Sequence, residues 1–452
     1  MCFFIGLVPV ENASAKSLYT TLVSFCRDIG LTDEFMQKHL IGFCSDGASA
    51  MTGEHKGLAR LLKDAYPLVK SFHCMAHRLE LAVKDAVDTV NSVSHFRILV
   101  DAIYKVYSQS PKNQREIDEI ACNMSVQLMR IQKVFDVRWV FSSLKAVTAL
   151  LTDFPALYSH YVACSSDGSN RNGRDRSKFK GLANKICSWF FVAETSMIRD
   201  ALATLSMLSL FLQSESATVV TAMAHVEACS EKLIAMKEAN GQHLAKFLDS
   251  FKADGTFMGI AIVQDATDEA RFQSLRAQFF SALIDNIRQR FPATALMKAA
   301  GVLNQTVWPS DPLQRAMFGE AEVANLCNDL CIESAESANI LLDFAMYKKG
   351  HAAGKHLLKM LCTLHILPIS SAACERGFSQ LNLHQTSLRN RLAVSRINDL
   401  MMVSINGPPL RDFNARKYVL SWIRSGRHTA LDKPTGIAPK EADVPLSAKL
   451  FA

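Results

Sequence analysis

The chain has 452 residues, which is enough for about three domains or for one domain with a large insertion. Apolar residues make up 49% and charged residues 21%, a balance that excludes a disordered or fibrous protein. The formal net charge is +7, and the window from Arg376 to His428 alone holds nine basic and two acidic side chains. This window either contacts an anionic partner such as nucleic acid or is a solvated helix face.

The cysteines and the longest apolar stretch indicate the cellular environment. The 12 cysteines are scattered without a C-x-x-C pair, which is typical of reduced thiols in an intracellular compartment. Residues 189–212 form the most apolar long stretch, but Glu194, Arg199 and Asp200 interrupt it. We therefore predict no membrane span and no membrane partner.

The first 90 residues alternate between short apolar runs and amphipathic helical patterns. In chain order, the patterns predict a strand over 2–10, a helix over 14–29, strands over 39–44 and 68–74, and a helix over 75–90. A turn-rich segment after the second strand opens a further helix. This alternation is typical of an α/β domain with helices packed on a sheet, which we assign to residues 1–90.

Beyond residue 90 the strands give way to long helical patterns, and we assign a mainly helical region to 91–360. Within it the sequence predicts helices over 185–212, 218–239 and 267–290, an exposed loop over 165–176 and irregular structure over 251–260. A C-terminal region over 361–430 follows, with a turn at 367–371 and a helix from Ala372. Residues 431–452 are expected to be a flexible tail.

Two positions near strand ends have side chains that suit metal chemistry. Asp46 follows the second predicted strand, where a carboxylate can hold a divalent metal or can cap a helix. Cys74 and His77 follow the third predicted strand and are residue types that bind zinc. Structural zinc needs four ligands, however, and only one such pair is visible, so local hydrogen bonding is the alternative for Cys74 and His77.

Two further positions have both a structural and a functional interpretation. The tryptophan of the Arg138–Trp139 pair is either a core residue or a platform on which a nucleic-acid base stacks. Glu375 lies in the first turn of a predicted helix, where the helix dipole alone accounts for an acidic residue. The sequence contains no P-loop, no dinucleotide fingerprint, no zincin motif and no nucleophile elbow, so those enzyme classes are unsupported.

Four segments, taken in order, resemble motifs of the hAT superfamily of DNA transposases, in the form found in proteins domesticated from them. Residues 42–57 (GFCSDGASAMTGEHKG) resemble the second catalytic aspartate motif, and residues 73–87 (HCMAHRLELAVKDAV) resemble the C-x-x-H motif. Residues 137–139 (VRW) resemble the Arg-Trp motif. Residues 370–392 (SSAACERGFSQLNLHQTSLRNRL) resemble the final glutamate helix and the start of the C-terminal dimerisation region.

The resemblance implies an RNase H-like fold that is interrupted by a large all-helical insertion. In that family three carboxylates bind two divalent metals for DNA strand cleavage and transfer. By resemblance, Asp46 is the second carboxylate and Glu375 is the third. Cys74 and His77 would lie near the site, and Trp139, next to Arg138, would stack on a displaced base.

The sequence departs from the family pattern at its beginning. The strand that carries the first catalytic aspartate and the N-terminal BED-type zinc finger are both absent, so we expect an N-terminally truncated RNase H-like fold. With one of three carboxylates missing, we expect no bound metal and no catalysis. Mg²⁺ or Mn²⁺ would be cofactors only if the first aspartate were supplied.

The expected function is therefore dimerisation in the nucleus, together with non-specific DNA binding. The candidates for phosphate contacts are Arg376, Arg389, Arg391 and Arg396. Candidates for an intermolecular apolar face, which could equally be intramolecular core, are Leu383, Leu392, Ile397, Leu400, Met401, Val403 and Ile405. Two alternatives remain open: a fragment of an active cut-and-paste transposase, and a protein-interaction scaffold that does not bind DNA.

Overall fold

The computed structural model describes residues 3–131 and 139–424, with the backbone alone at Trp139. The chain divides into two compact units. The first comprises Met1–His73 and Ser370–Ala452, and the second comprises Cys74–Ile369. The second unit is thus inserted into the first, and the boundaries between them lie at 73/74 and 369/370. The sequence patterns predicted these boundaries at 90/91 and 360/361. The tail assigned to 431–452 lies outside the described residues.

The first unit combines helices with a small parallel sheet. In chain order its elements are α1 (Ala15–Asp28), α2 (Asp33–His39), β1 (Gly42–Ser45), α3 (Ser49–Thr52), α4 (Leu58–Ala65) and β2 (Lys70–His73), followed after the second unit by α20 (Ala372–His384), α21 (Val394–Asn406) and α22 (Ala415–Arg424). The strands β1 and β2 pair in parallel from Gly42↔Lys70 to Ser45↔His73. The predicted strands at 39–44 and 68–74 and the predicted helix at 14–29 are confirmed, each with shifted ends.

The strand predicted over 2–10 is wrong, because residues 3–10 are not part of a β-ladder. Their main chain instead bonds to side chains of α21. The N–H groups of Phe4 and Leu7 donate to the Oδ1 atoms of Asn406 and Asn398 at 2.9 and 2.8 Å, and Asn406 Nδ2 donates back to the Phe4 carbonyl. Three backbone groups of the apolar run therefore have hydrogen-bond partners without a neighbouring strand.

An apolar cluster holds the N-terminal helices of the first unit together. Its buried members are Val23, Cys26, Met36, Leu58, Leu62, Tyr66 and Val69. At its edge the Tyr66 hydroxyl donates to Asp33 Oδ1 at 3.3 Å, and Arg27 forms an ion pair with the same carboxylate. In the C-terminal part of this unit, α20 packs on α21, where His384 Nε2 and Ser404 Oγ lie 3.1 Å apart.

The second unit is mainly helical, as predicted for the middle of the chain. Its helices are α5 (Met75–Thr89), α6 (Asn91–Ser108), α7 (Pro111–Asn123), α8 (Trp139–Thr152), α9 (Phe154–Ser166), α10 (Gly173–Ile186), α11 (Trp189–Leu212), α12 (Ala222–Glu238), α13 (Gln242–Asp254), α14 (Asp268–Arg290), α15 (Ala295–Gly301), α16 (Pro312–Met317), α17 (Glu320–Asp329), α18 (Ser334–Lys348) and α19 (Lys355–Ile366). A short antiparallel hairpin, β3 (Thr256–Phe257) and β4 (Ile260–Ala261), follows α13.

Two predicted irregular segments are shorter than expected. The loop predicted over 165–176 is confined to 167–172, because Asn172 caps α10 by accepting from the Asp175 N–H at 2.8 Å. The segment predicted as irregular over 251–260 begins with the last turn of α13. The C-cap residue of this helix is Gly255, whose backbone lies in the left-handed region (φ 71°). The α13 helix thus runs directly into the hairpin.

Helix α11 is the core helix of the second unit. By length and composition it could span a membrane, but 72% of its most apolar window is buried inside the structure. Two acidic side chains are buried with it, and each has a hydrogen-bond partner. Glu194 accepts from Ser92 Oγ at 3.2 Å, and Asp200 accepts from the backbone N–H groups of His243 and Leu244 at the start of α13. The two acidic residues that interrupt the apolar stretch, Glu194 and Asp200, therefore have structural roles in the packed unit.

Candidate functional site

The ends of the two parallel strands bring Asp46 and His73 to one edge of the small sheet. Ser45, which directly precedes Asp46, is paired with His73. The His73 ring lies over Gly47, where an added Cβ would be only 2.6 Å from the His73 Cε1 atom. A side chain at position 47 would therefore force the His73 ring to shift, because the ring occupies the space that a Cβ would need.

The Asp46 carboxylate is exposed and bonds locally. Its Oδ1 accepts from the Ala48 N–H at 3.2 Å, the pattern of an Asx turn. Ala48, not Asp46, is the N-cap residue of α3. Asp46 therefore does not cap the helix directly but accepts a hydrogen bond from the residue that does. Asp46 thus holds the turn after β1 and keeps a carboxylate facing solvent.

Glu375 lies in the first turn of α20, which begins at Ala372 as the sequence predicted. Its side chain is half-buried, and its backbone N–H donates to the Ser371 carbonyl at 3.1 Å. Asp46 and Glu375 therefore belong to the same structural unit, the arrangement that the resemblance implies.

A two-metal centre needs carboxylates whose oxygen atoms converge on the metals. Within residues 3–131 and 139–424, the only His, Cys, Asp or Glu ligand atoms that converge as a set of three are those of Glu116, His160 and Cys164. Asp46 and Glu375 belong to no such set.

Cys74 and His77 belong to the second unit, at the start of α5. Cys74 is fully buried as the N-cap residue, and His77 is half-buried one turn further. The helix start is fixed to the other end of the unit, because the Met75 N–H donates to the Ile369 carbonyl at 2.9 Å. Neither Cys74 nor His77 belongs to the converging ligand set, so the described residues offer no zinc site here.

The Arg138–Trp139 pair cannot be assigned a side-chain position. Arg138 lies outside the described residues, and Trp139 contributes only the first backbone position of α8. The base-stacking role predicted for Trp139 therefore stays a prediction.

The four candidate arginines are all exposed. Arg376 is on α20, Arg389 and Arg391 lie between α20 and α21, and Arg396 is on α21. Arg396 also approaches Asp399, with 3.9 Å between Nη1 and Oδ2, and both side chains are largely solvated. Such a surface ion pair contributes little energy, so it leaves Arg396 able to contact a phosphate.

The candidate dimerisation residues divide into core and surface. Ile397 and Met401 are each only 2% exposed, so these two belong to the core of the first unit and not to its surface. Leu392 and Leu400 are half-buried. The prediction of an intermolecular face is therefore corrected at Ile397 and Met401, because α21 turns them inward.

Several other apolar side chains of this region face solvent. Leu383 on α20 is 67% exposed and Val403 on α21 is 72% exposed. No residue of α22 is buried, and its exposed apolar side chains are Tyr418, Val419, Leu420, Trp422 and Ile423. Leu383 and Val403 are among the positions that the sequence indicates for an intermolecular face, whereas the sequence pattern did not single out the apolar side chains of α22.

The converging ligand set of the second unit was missed by the sequence analysis. His160 and Cys164 lie one turn apart on α9, and Glu116 lies on α7, which packs against α9. His160 Nε2 is 3.1 Å from Glu116 Oε2 and 3.2 Å from Cys164 Sγ. The H-x-x-x-C spacing on one helix face was a visible signal, but nothing local linked Glu116 to it.

Burial sets the protonation of this cluster. It lowers the pKa of His160 and raises the pKa of Cys164 to about 11, so the ring is neutral and the thiol is protonated at neutral pH. Partial burial works against the charge of Glu116, but the hydrogen bond to His160 and the nearby Arg171 guanidinium outweigh it and lower the pKa of that carboxyl. The cluster therefore contains one carboxylate, one neutral imidazole and one thiol.

One comparison with known proteins concerns the C-terminal region. Residues 346–407 match the model of the hAT family C-terminal dimerisation region. The matched segment begins near the end of α18, contains α19, α20 and α21, and includes Glu375 and all four candidate arginines. The chain thus carries a segment similar to the hAT dimerisation region, which supports a relationship to hAT-family transposases.

Proposed function

We propose that this chain is a hAT transposase-derived protein that acts in the nucleus by self-association and by non-specific DNA binding, without cleaving DNA. The observation that carries the proposal is the match of residues 346–407 to the hAT dimerisation region. The N-terminal motifs around Asp46 and Cys74 support the same origin by resemblance, and an RNase H-like core is part of the proposal.

The surface of the matched segment and of α22 supports self-association. Leu383, Val403 and the apolar side chains of α22 are exposed, and exposed apolar side chains of this kind can be covered at an interface between copies. A helix of ten residues is marginal in water without a packing partner. Contact with a second copy would cover these side chains and stabilise α22.

The self-association test replaces the two most exposed apolar side chains of α20 and α21. The double variant Leu383→Glu and Val403→Glu should shift the molar mass from dimer to monomer in light scattering after gel filtration, at several protein concentrations. The matched control is Met207→Glu on α11, because Met207 is 67% exposed but lies outside the matched segment. A wild-type protein that is monomeric at all concentrations, or a dimer that survives the double variant, would contradict this proposal.

DNA binding is supported by the exposed arginines. Phosphate contacts by such side chains give affinity that falls steeply with salt and needs no Mg²⁺. The double variant Arg389→Ala and Arg391→Ala should make the DNA affinity less dependent on salt. The matched control replaces two exposed arginines of the second unit, Arg174→Ala with Arg288→Ala, and should leave the salt dependence of the affinity unchanged. A wild-type affinity that does not change with salt would instead favour the alternative of a scaffold without DNA binding.

The proposed lack of catalysis, and of a metal cofactor for it, is supported by the positions of the carboxylates. Neither Asp46 nor Glu375 belongs to a set of three converging ligand atoms in the described part of the chain. The alternative is a fragment of an active transposase that uses Mg²⁺ or Mn²⁺. Metal-dependent DNA nicking that disappears in both Asp46→Asn and Glu375→Gln would establish that alternative, and we expect no nicking above the level of these variants.

Nuclear localisation follows from a role on DNA and is tested by imaging a fluorescent fusion of the full chain. The described cysteines are all free, which agrees with a reducing compartment. Exclusion of the fusion from the nucleus would remove the DNA-binding part of the proposal and leave self-association.

A further inference from the structure

The second unit holds a cluster of metal-ligating side chains that the proposed function does not use. Cys164 is 4% exposed and His160 is 1% exposed, whereas Glu116 at their side is partly open to solvent. All three ligand atoms face one another: the separations are 3.1 Å for His160 Nε2 to Glu116 Oε2, 3.2 Å for His160 Nε2 to Cys164 Sγ, and 3.7 Å for Cys164 Sγ to Glu116 Oε2. The cluster therefore forms a small triangle of one nitrogen, one oxygen and one sulfur.

The triangle has the dimensions of one face of a tetrahedral zinc site. With zinc–sulfur bonds of about 2.3 Å and zinc–nitrogen or zinc–oxygen bonds of about 2.0–2.1 Å, tetrahedral angles place neighbouring ligand atoms about 3.3–3.6 Å apart. The observed separations differ from these by only a few tenths of an ångström. A metal at the centre of this tetrahedron would be bound by the three side chains, and water would occupy the fourth corner.

The surrounding side chains have the arrangement that a metal-binding histidine needs. The Tyr107 hydroxyl lies 3.0 Å from His160 Nδ1, which fixes the ring and leaves Nε2 facing the cysteine and the glutamate. Metal-bound histidines usually have such a partner on the other ring nitrogen. Arg171 contacts Glu116 Oε2, but it also donates to Asn113 Oδ1 at 2.9 Å, and a carboxylate oxygen can serve both a guanidinium and a metal.

A nucleophilic role for Cys164 fits the cluster less well. Catalytic cysteines are partly exposed and have a lowered pKa, because the thiolate is the reactive form. Cys164 is buried, and burial raises its pKa to about 11. The described structure therefore places the thiol where a metal could deprotonate it but a substrate could not reach it.

We propose that Glu116, His160 and Cys164 form a binding site for Zn²⁺ within the helical unit. Thiolate, imidazole and carboxylate together suit Zn²⁺ better than they suit Mg²⁺ or Ca²⁺, which prefer oxygen ligands alone. Binding replaces the Cys164 S–H bond with a Zn–S bond and releases one proton to solvent, while the proton of neutral His160 occupies Nδ1. Thiolate and carboxylate then offset the two positive charges of the ion, and Arg171 beside Glu116 leaves one positive charge next to the site.

The site would join three parts of the helical unit. Glu116 belongs to α7, His160 and Cys164 belong to α9, and Arg171 lies in the segment that leads to α10. Binding of the ion would therefore stabilise the packing of α7 on α9. Partly exposed Glu116 provides the entry path.

The experiment is a metal titration of the full chain after removal of metals with a chelator. Zn²⁺ is added in competition with a chromophoric chelator, and Co²⁺ is added separately because its thiolate charge-transfer absorption reports a cysteine ligand. We expect the Cys164→Ser variant to bind Zn²⁺ at least about 100-fold more weakly and to lose the Co²⁺ charge-transfer band. The matched control is Cys229→Ser, a buried cysteine on α12 of the same unit that belongs to no converging ligand set, and it should bind as the wild type does.

Two further measurements keep the proposal testable if Cys164→Ser does not fold. The Glu116→Gln variant keeps the size of the partly exposed side chain and removes its charge, and it should weaken Zn²⁺ binding at least about tenfold. Wild-type affinity should rise about tenfold per pH unit between pH 6 and 8, because one thiol proton is released. A wild-type chain that binds no Zn²⁺, or binding that is equal in the wild type and in folded Cys164→Ser or Glu116→Gln, would overturn the proposal.

Discussion

The division of α21 into an inner and an outer face gives a sharp prediction for two alanine substitutions. Ile397 is 2% exposed and Val403 is 72% exposed, although both lie on the same helix within the matched segment. Replacing buried Ile397 with alanine removes packed carbon atoms and leaves a cavity, which costs about 2–5 kcal/mol. The Val403→Ala substitution at the surface should change the free energy of unfolding by no more than about 0.5 kcal/mol.

Hydrogen–deuterium exchange of α21 peptides measures this difference within the first unit alone. A loss of about 2 kcal/mol corresponds to a roughly 30-fold loss of protection for amides that exchange through opening of that unit. The measurement is made at two protein concentrations, because self-association also stabilises the folded state. If Ile397→Ala altered the molar mass but not the protection, or if both variants lost protection equally, the assignment of core and surface on α21 would be wrong.

Two other predictions concern buried and crowded positions. Burial raises the pKa of Glu194 from 4.5 to about 8, so the folded chain keeps a proton that the unfolded chain releases. The free energy of unfolding should therefore fall by up to about 1.4 kcal/mol per pH unit between about pH 4.5 and 8. Denaturation of Glu194→Gln at several pH values should show that this contribution is lost. Gly47→Ala should destabilise the first unit by about 1–3 kcal/mol in thermal denaturation, because its Cβ would overlap the His73 ring. The control is Gly181→Ala on α10, where open space surrounds the glycine. This substitution should be neutral or should stabilise the fold by up to about 1 kcal/mol. Equal effects of the two substitutions would disprove the overlap with the His73 ring.

The sequence was informative where local patterns decide the structure. The helical period predicted α5 almost to its ends, and the turn residues before Ala372 placed the start of α20. The apolar run at 2–10 did not become a strand, because pairing depends on a neighbour and not on the run itself. Its backbone partners are Asn398 and Asn406, about 390–400 residues away, and no local pattern could have indicated them.

In the candidate sites too, features set by local sequence could be predicted and features set by distant contacts could not. The exposure of the four arginines and the position of Glu375 in a first helical turn followed from local sequence. Which apolar side chains of α21 are core could not be predicted, because a short helix has two apolar faces and tertiary contacts choose between them. The cluster of Glu116, His160 and Cys164 was missed because two separate helices bring its members together.

The C-terminal region places exposed arginines and exposed apolar side chains on the same helices, so self-association and DNA binding should be coupled. If the four arginines each contact a phosphate, the slope of log affinity against log salt is roughly −3.6 for one chain and twice that for a dimer. The double variant Leu383→Glu and Val403→Glu should therefore halve the slope while every arginine remains. Conversely, Arg389→Ala with Arg391→Ala should also halve the slope but leave the molar mass unchanged. A monomeric variant with the full wild-type slope would show that one chain makes all the phosphate contacts, and the link between dimerisation and DNA binding would then fail.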